Sequence, residues 1–89
     1  MTRPFIIRTV PKITDAPSRD VLSSLLRQVR VEAGLTQAQL AELLKQPQSF
    51  VSKYESGERR LDLIEIKQIC QALELSLAEF VKRFEELLG

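Results

Sequence analysis

The stretch TQAQLAELLKQPQSFVSKYESGER, residues Thr36–Arg59, holds two short helical patterns with a proline between them. Pro47 stands at the start of the second pattern, where the amide that proline lacks would have had no helical partner. Gly57 follows the second pattern and can take the left-handed conformation that ends many helices. We therefore predict two helices of about nine residues or fewer, joined by the turn KQP and stable only when packed on other helices.

Each short helix has a clear inner side. Thr36 followed by Gln39 has the spacing of a capping box, in which the two side chains bond to each other's backbone amides. The apolar residues expected to face inward from the first helix are Leu40, Ala41, Leu43 and Leu44. Val51 and Tyr54 are expected to anchor the second helix in the same core.

The outer face of the second helix is polar. The residues left outside are Gln48, Ser49, Ser52 and Lys53. Two short helices joined by a tight turn can place the second in the DNA major groove while the first crosses the backbone. Glutamine can pair with adenine, lysine can donate to guanine, and serine can bond several base edges. Phe50 either contacts a thymine methyl group or sugar or covers its neighbours. The polar face as a whole also fits an ordinary solvated helix surface.

Three further helices complete the pattern. The first carries a stripe from Ser18 onward and ends before Gly34; its apolar residues are Leu22, Leu25, Leu26, Val29 and Ala33. A fourth helix is capped by Asp62 with Glu65, and its stripe is Leu63, Ile66, Ile69, Cys70 and Leu73. A fifth begins with a second capping box, Ser76 with Glu79, and carries Leu77, Phe80, Val81, Phe84, Leu87 and Leu88. We predict an all-α domain over residues 18–89.

Residues 1–17 read differently from the rest of the chain. They contain three of the four prolines and have no helical period, so we predict an extended N-terminal arm. Phe5–Val10 has the composition of a short strand that would need a partner copy or the domain surface to be ordered. Arg3 or Arg8 could enter a DNA minor groove, and a tail without fixed structure is the alternative.

Composition excludes several classes of protein. The chain has no histidine and one cysteine, so a disulfide, a Cys/His metal cluster and a cofactor site are not expected. Without histidine or gathered carboxylates, an enzyme is not expected either. No apolar run is long enough for a bilayer and no export signal is recognisable, so we expect a cytoplasmic protein.

Charge is distributed unevenly along the chain. The net charge is +1, but residues 1–60 carry ten Lys/Arg against six Asp/Glu, and residues 61–89 carry three against six. The first part is therefore at +4 and the second at −3. This asymmetry suits a basic face presented to phosphates, and it also suits ordinary solvated charges.

The motifs GLTQAQLAELL, SFVSKYESGE and IKQICQAL resemble, in order and spacing, the Cro/C1-type helix-turn-helix family of phage-repressor-like regulators, also called the XRE family. The resemblance runs from about Leu22 to Leu88. It implies a five-helix lambda-repressor-like DNA-binding domain in a prokaryotic cell, associated with the nucleoid when bound, that usually binds operator DNA as a two-fold dimer. The N-terminal arm lies outside the resemblance.

The resemblance also implies roles for individual residues. Those at positions that read bases are Gln48, Ser49, Ser52 and Lys53, and those at positions that approach phosphates are Thr36, Gln37, Ser56, Arg59 and Arg60. Arg30 and Glu55 occupy positions where the family forms an ion pair between the first and third helices. If that pair is buried, it fixes the angle of the third helix; if it is exposed, it contributes little.

The sequence departs from the family at three positions. Lys45 stands where the turn often has glycine, and Pro47 stands where a serine or threonine cap is common. Cys70 replaces a usual alanine, and we interpret it as a small buried hydrophobic residue.

Two functions are consistent with these observations. The first is a sequence-specific transcriptional regulator, a repressor that binds a palindromic operator on double-stranded DNA as a homodimer. The second is an antitoxin or adaptor that binds a protein partner such as a toxin through the arm and the fifth helix, and autoregulates through the same fold. Residues of the fifth helix such as Phe84 and Leu87 could serve either the core or an interface.

Overall fold

A computed structural model describes residues 16–89 and confirms the predicted all-α fold. Its five helices are α1 Ala16–Glu32, α2 Gln37–Leu44, α3 Gln48–Ser56, α4 Leu63–Ala72 and α5 Leu77–Leu88. The predicted strand over residues 5–10 and the arm arginines Arg3 and Arg8 lie outside the described residues. None of the helices within residues 16–89 has the length and apolar character needed to cross a bilayer.

Helix α1 begins earlier than its apolar stripe indicated. It starts at Ala16, two residues before the predicted start at Ser18, so that Pro17 is helical. Proline is accepted in the first turn of a helix, because its missing amide would have no partner there. At the other end, Gly34 has φ +77, the left-handed conformation expected of a glycine just past a helix.

Side chains cap the starts of α2, α4 and α5, at the residues predicted to do so. Thr36 Oγ1 accepts from the Gln39 amide at 3.1 Å, and Gln39 Oε1 accepts from the Thr36 amide at 2.9 Å. Asp62 and Glu65 form the same reciprocal box at the start of α4. At α5, Ser76 Oγ accepts from the amide of residue 79 at 3.0 Å, which is one of the two bonds of the predicted box.

The core lies where all five helices meet. Its buried apolar members are Leu25, Leu26, Val29, Leu40, Ala41, Val51, Tyr54, Ile69, Cys70 and Phe80. Helix α1 packs on α3 and α5, α2 packs on α3 and α4, and α4 packs on α5. The short pair α2 and α3 is thus held from both sides, as helices of this length require.

Two leucines predicted to face inward are exposed instead. Leu43 is 55% exposed and Leu63 is 62% exposed. At about 100° per residue, Leu40, Ala41 and Leu44 already span the arc of α2 that meets the core, and residue 43 falls outside it. Leu63 is the first residue of α4, and its side chain lies outside the packed cluster. Ala33 of the predicted α1 stripe is also exposed, because α1 ends at Glu32.

Candidate nucleic-acid interface

The turn between α2 and α3 consists of Lys45, Gln46 and Pro47. Lys45 has φ 57 and ψ 43, so it adopts the left-handed conformation for which a glycine is usual. The amides of Lys45 and Gln46 donate to carbonyls in the last turn of α2, with the Gln46 bond to Ala41 O at 2.9 Å. The turn therefore has a regular helix-end geometry despite the lysine, with some backbone strain at that residue.

Helix α3 is anchored by its inner face. Val51 is 0% exposed and Tyr54 is 1% exposed. The outer face carries Gln48, Ser49 and Lys53, all of which are exposed. Ser52 is half-buried, and its hydroxyl donates to the Ser49 carbonyl at 3.4 Å, which is a long bond. Of the residues predicted to read bases, three therefore lie on the open face and Ser52 lies at its edge.

The N-terminus of α3 is left open by Pro47. Pro47 is the N-cap residue and makes no side-chain hydrogen bond to the helix, unlike Thr36 at the start of α2. The positive end of the α3 dipole therefore faces outward beside Gln48 and Ser49.

Arg30 and Glu55 join three elements in one buried network. Arg30 Nε and Nη2 donate to the two carboxylate oxygens of Glu55, at 2.7 and 3.0 Å. Arg30 Nη1 also donates to the Leu35 carbonyl at 2.8 Å. The side chains are 10% and 3% exposed. This charged, bidentate contact ties α3 to α1. Hydrogen bonding to Glu55 also raises the pKa of Arg30.

Gln37, predicted to contact a phosphate, belongs partly to this network. Its Nε2 donates to Glu55 Oε1 at 3.1 Å. One amide hydrogen of Gln37 is left for an outside partner. The contact links the start of α2 to α3, which sequence reasoning did not indicate.

The end of α3 and the loop after it hold three of the other residues predicted to approach phosphates, Ser56, Arg59 and Arg60, while Thr36 is the N-cap of α2. The Ser56 hydroxyl lies 3.0 Å from the Lys53 carbonyl and 3.2 Å from Glu58 Oε2, and its single proton can serve one of them at a time. Arg60 is exposed and, within residues 16–89, forms no ion pair. Arg59 is held by Glu65, with Nη2 to Oε2 at 2.9 Å. The loop thus presents one unpaired arginine and one paired arginine.

A shallow cavity of about 150 Å³ lies between this loop and the first half of α1. Arg19, Arg59 and Arg60 are among the residues that line it, together with Ser23. Arg19 was not singled out from the sequence, because it lies outside the two-helix motif. The basic balance of residues 1–60 was the only signal that included it. Three arginines therefore contribute to the lining of one concavity, and one of them, Arg59, is paired with Glu65.

Phe50 has a packing role. Its ring is 5.5 Å from the Tyr54 ring at an interplanar angle of 78°, an edge-to-face contact. The guanidinium carbon of Arg59 lies 4.8 Å from the centre of the Phe50 ring, which is within cation–π distance. These contacts favour the interpretation that Phe50 covers its neighbours. Cys70, at 1% exposure, is a buried thiol whose pKa is raised by burial, as expected of a small core residue.

Comparison with known proteins places this geometry in a family. A helix-turn-helix family model matches residues 26–80. An XRE-family like protein from Pseudomonas syringae pv. tomato is 38% identical, with a TM-score of 0.74 over 82% of this chain and 89% of that one. The clp gene regulator ClgR from C. glutamicum shares the fold at 24% identity, with a TM-score of 0.73 over 88% of this chain and 100% of that one.

A third relative was solved with DNA. The restriction-modification controller protein C.Esp1396I, as a tetramer in complex with its natural 35 base-pair operator, is 25% identical, with a TM-score of 0.74 over 84% of this chain and 100% of that one. A search of curated protein sequences finds no match. The family match covers more than half of the chain, from the middle of α1 into α5. The chain belongs to the XRE, or Cro/C1-type, helix-turn-helix family of DNA-binding regulators.

Proposed function

We propose that the protein is a sequence-specific transcriptional repressor that lays α3 in the major groove of its operator. The observation that carries this proposal is the exposure of Gln48, Ser49 and Lys53 on a helix whose opposite side is fully buried and whose angle is fixed by the Arg30–Glu55 pair. A recognition helix must be rigid in the protein and open toward the groove. Helix α3 meets both conditions.

Base readout comes from the open face of α3. Gln48 pairs with adenine, Lys53 donates to guanine, and Ser49 and Ser52 adjust to neighbouring base edges. Each good contact contributes about 1–3 kcal/mol of discrimination between bases. The open N-terminus of α3 favours a nearby phosphate through its helix dipole.

Phosphate contacts flank the reading helix and set its register. The residues assigned to them are Thr36, Gln37, Ser56, Arg59 and Arg60. The exposure of Arg60, and its position beside the cavity that it lines with Arg19, support this assignment. Contacts of this kind hold the protein on DNA without reading sequence, so affinity falls steeply as salt rises.

A two-fold dimer on a palindromic operator accounts for the exposed apolar residues outside α3. Leu87 and Leu88 on α5 are 54% and 46% exposed, and Leu63 and Ile64 on α4 are 62% and 64% exposed. Burial of such side chains against a second copy would remove apolar surface from water. Two copies then place their α3 helices about 34–36 Å apart, one turn of DNA. Acting in the cytoplasm on the nucleoid, the dimer represses by occupying a promoter.

Selection of bound sequences from a random duplex pool tests the proposal. We expect one enriched motif with two-fold symmetry and half-site centres one helical turn apart. Enrichment of no motif would contradict sequence-specific binding, and an asymmetric motif would contradict the dimer. If the protein instead co-purifies at fixed stoichiometry with a small protein and selects no DNA, the antitoxin or adaptor function is favoured.

A further inference from the structure

Arg59 is an assigned phosphate contact whose charge is already paired with a carboxylate of the protein. Its Nη1 donates to Glu65 Oε1 at 3.4 Å and its Nη2 donates to Glu65 Oε2 at 2.9 Å. Nη1 also donates to the Arg60 carbonyl at 2.9 Å. The Nη1/Nη2 edge of the guanidinium, one of the two edges that can bind a phosphate bidentately, is therefore occupied by a carboxylate.

Glu65 is fixed in place by a second bond. Its Oε1 accepts from the Asp62 amide at 3.0 Å, as the third helical residue of the α4 capping box. That backbone bond, followed by the Arg59 contact, lowers the pKa of the Glu65 carboxyl, so the group is ionised at neutral pH. Glu65 therefore competes for the guanidinium from a fixed position.

Arg59 also lies beside the reading helix. Its guanidinium stacks on the Phe50 ring at 4.8 Å, in the first turn of α3. The Arg59 side chain is 40% exposed and the Glu65 side chain is 26% exposed. An exposed pair of this kind is weak enough to be exchanged for another anion.

We propose that Glu65 competes with DNA phosphate groups for the Arg59 guanidinium and so restrains the affinity of the interface for every duplex. The inference rests on the proposed DNA-binding function. A phosphate that binds the Nη1/Nη2 edge of Arg59 displaces the Glu65 carboxylate from it, while the Asp62 bond keeps that carboxylate on α4. The carboxylate contributes no base discrimination, so its effect is on affinity alone.

The chain offers a matched control for the test. Glu65→Gln removes the competing charge, and glutamine still serves at this position of a capping box. Glu58→Gln removes the same charge from the adjoining loop after α3, where Glu58 accepts from Ser56 and has no bond to Arg59. Comparison of the affinities of the two variants separates the effect of releasing Arg59 from the general gain in affinity that follows loss of a negative charge near DNA.

The measurement is the dissociation constant for a random-sequence duplex at fixed salt, read by fluorescence anisotropy. Each glutamine variant is made in the natural chain and in an Arg59→Met background. We expect Glu65→Gln to bind about 1.5- to 5-fold more tightly than Glu58→Gln, a range set by the strength of exposed ion pairs. In the Arg59→Met background the two variants should bind equally.

Three results would overturn the inference. Equal affinity of the two variants in the natural chain would show that Glu65 does not restrain Arg59, and persistence of the difference without Arg59 would assign it to another group. In the natural protein, the NMR signal of the Arg59 guanidinium should shift when duplex is added, and an unchanged signal would contradict the exchange even if a variant fails to fold. The three results above would overturn the inference and leave the proposed DNA-binding function standing. If neither the natural protein nor any variant binds duplex, both the inference and the proposed function are overturned.

Discussion

Arg30 on α1 donates to both carboxylate oxygens of Glu55 on α3, at 2.7 and 3.0 Å, with both side chains almost fully buried. A third bond from the same guanidinium reaches the turn between α1 and α2. Helix α3 is thereby fixed to α1 and to the turn that follows α1. Because α3 has only nine residues, this pair and the inner residues Val51 and Tyr54 determine its orientation.

Glu55→Ala should be strongly destabilising. The substitution leaves Arg30 as an uncompensated charge that is 8% exposed and removes the partner of Gln37. Loss of one partner of a buried pair costs about 3–5 kcal/mol. Urea denaturation followed by circular dichroism measures the change in the free energy of unfolding.

The control for this prediction is Glu32→Ala. Glu32 pairs with Arg83 at 3.0 Å, but its side chain is 49% exposed, so the loss should be far smaller. Equal losses for the two variants would mean that the Arg30–Glu55 pair contributes no more than a surface contact.

Lys45→Gly should stabilise the protein. Lys45 has φ 57, and a left-handed residue with a side chain costs about 1–2 kcal/mol that glycine avoids. Glycine loses part of that gain, about 0.4–1 kcal/mol, because it makes the unfolded chain more flexible. We expect a net gain of about 0.5–1 kcal/mol from these two terms in thermal or chemical unfolding. Lys45→Ala keeps the strained conformation, so a gain equal to that of glycine would exclude strain as the cause.

Tyr54 should make the protein unstable in alkali. Burial raises the pKa of its phenol above the ordinary value of about 10. Its neutral form is therefore favoured in the folded state. The contribution of the neutral phenol to the free energy of unfolding is fully present below the pKa of tyrosine in the unfolded chain, about 10. It is lost as the pH rises above that value. Tyr54 is the only tyrosine of the chain, so phenolate absorbance reports this group alone.

Tyr54→Phe is the matching variant. The Tyr54 hydroxyl is buried and has no hydrogen-bond partner among residues 16–89, so its removal should leave stability at neutral pH unchanged or slightly higher. It should also reduce the alkaline loss of stability. Phenolate absorbance that appears near pH 10 while the protein is still folded would contradict the burial of this group.

The fold could be predicted from the sequence because its signals are local. Thr36 with Gln39 and Asp62 with Glu65 form the predicted boxes within four residues of chain, and Gly34 has the expected positive φ. Where apolar periodicity was the only guide it was less accurate. Leu63 fits the α4 stripe but lies at its exposed end, since periodicity does not say where a helix stops meeting the core.

The candidate site was less accessible to sequence reasoning because its side chains depend on distant partners. Nothing near Arg59 in sequence indicates that Glu65 occupies its guanidinium edge, and nothing near Gln37 points to Glu55. Lys45 stands where the family often has glycine, yet the backbone accepts it in the left-handed conformation. The Arg59 contact follows from how the loop after α3 meets α4, and the Gln37 contact follows from how α2 packs on α3.

The most direct test of the central claim compares Lys53→Ala with Arg60→Ala on operator and random duplexes. Lys53 lies on the open face of α3 and Arg60 on the flanking loop. Lys53→Ala should lower the preference for the operator over random sequence by about 1–3 kcal/mol. Arg60→Ala should weaken binding to both duplexes alike. It should also reduce the slope of log affinity against log salt concentration by about one. If Lys53→Ala leaves the preference unchanged, α3 does not read the operator through this face and the account is wrong.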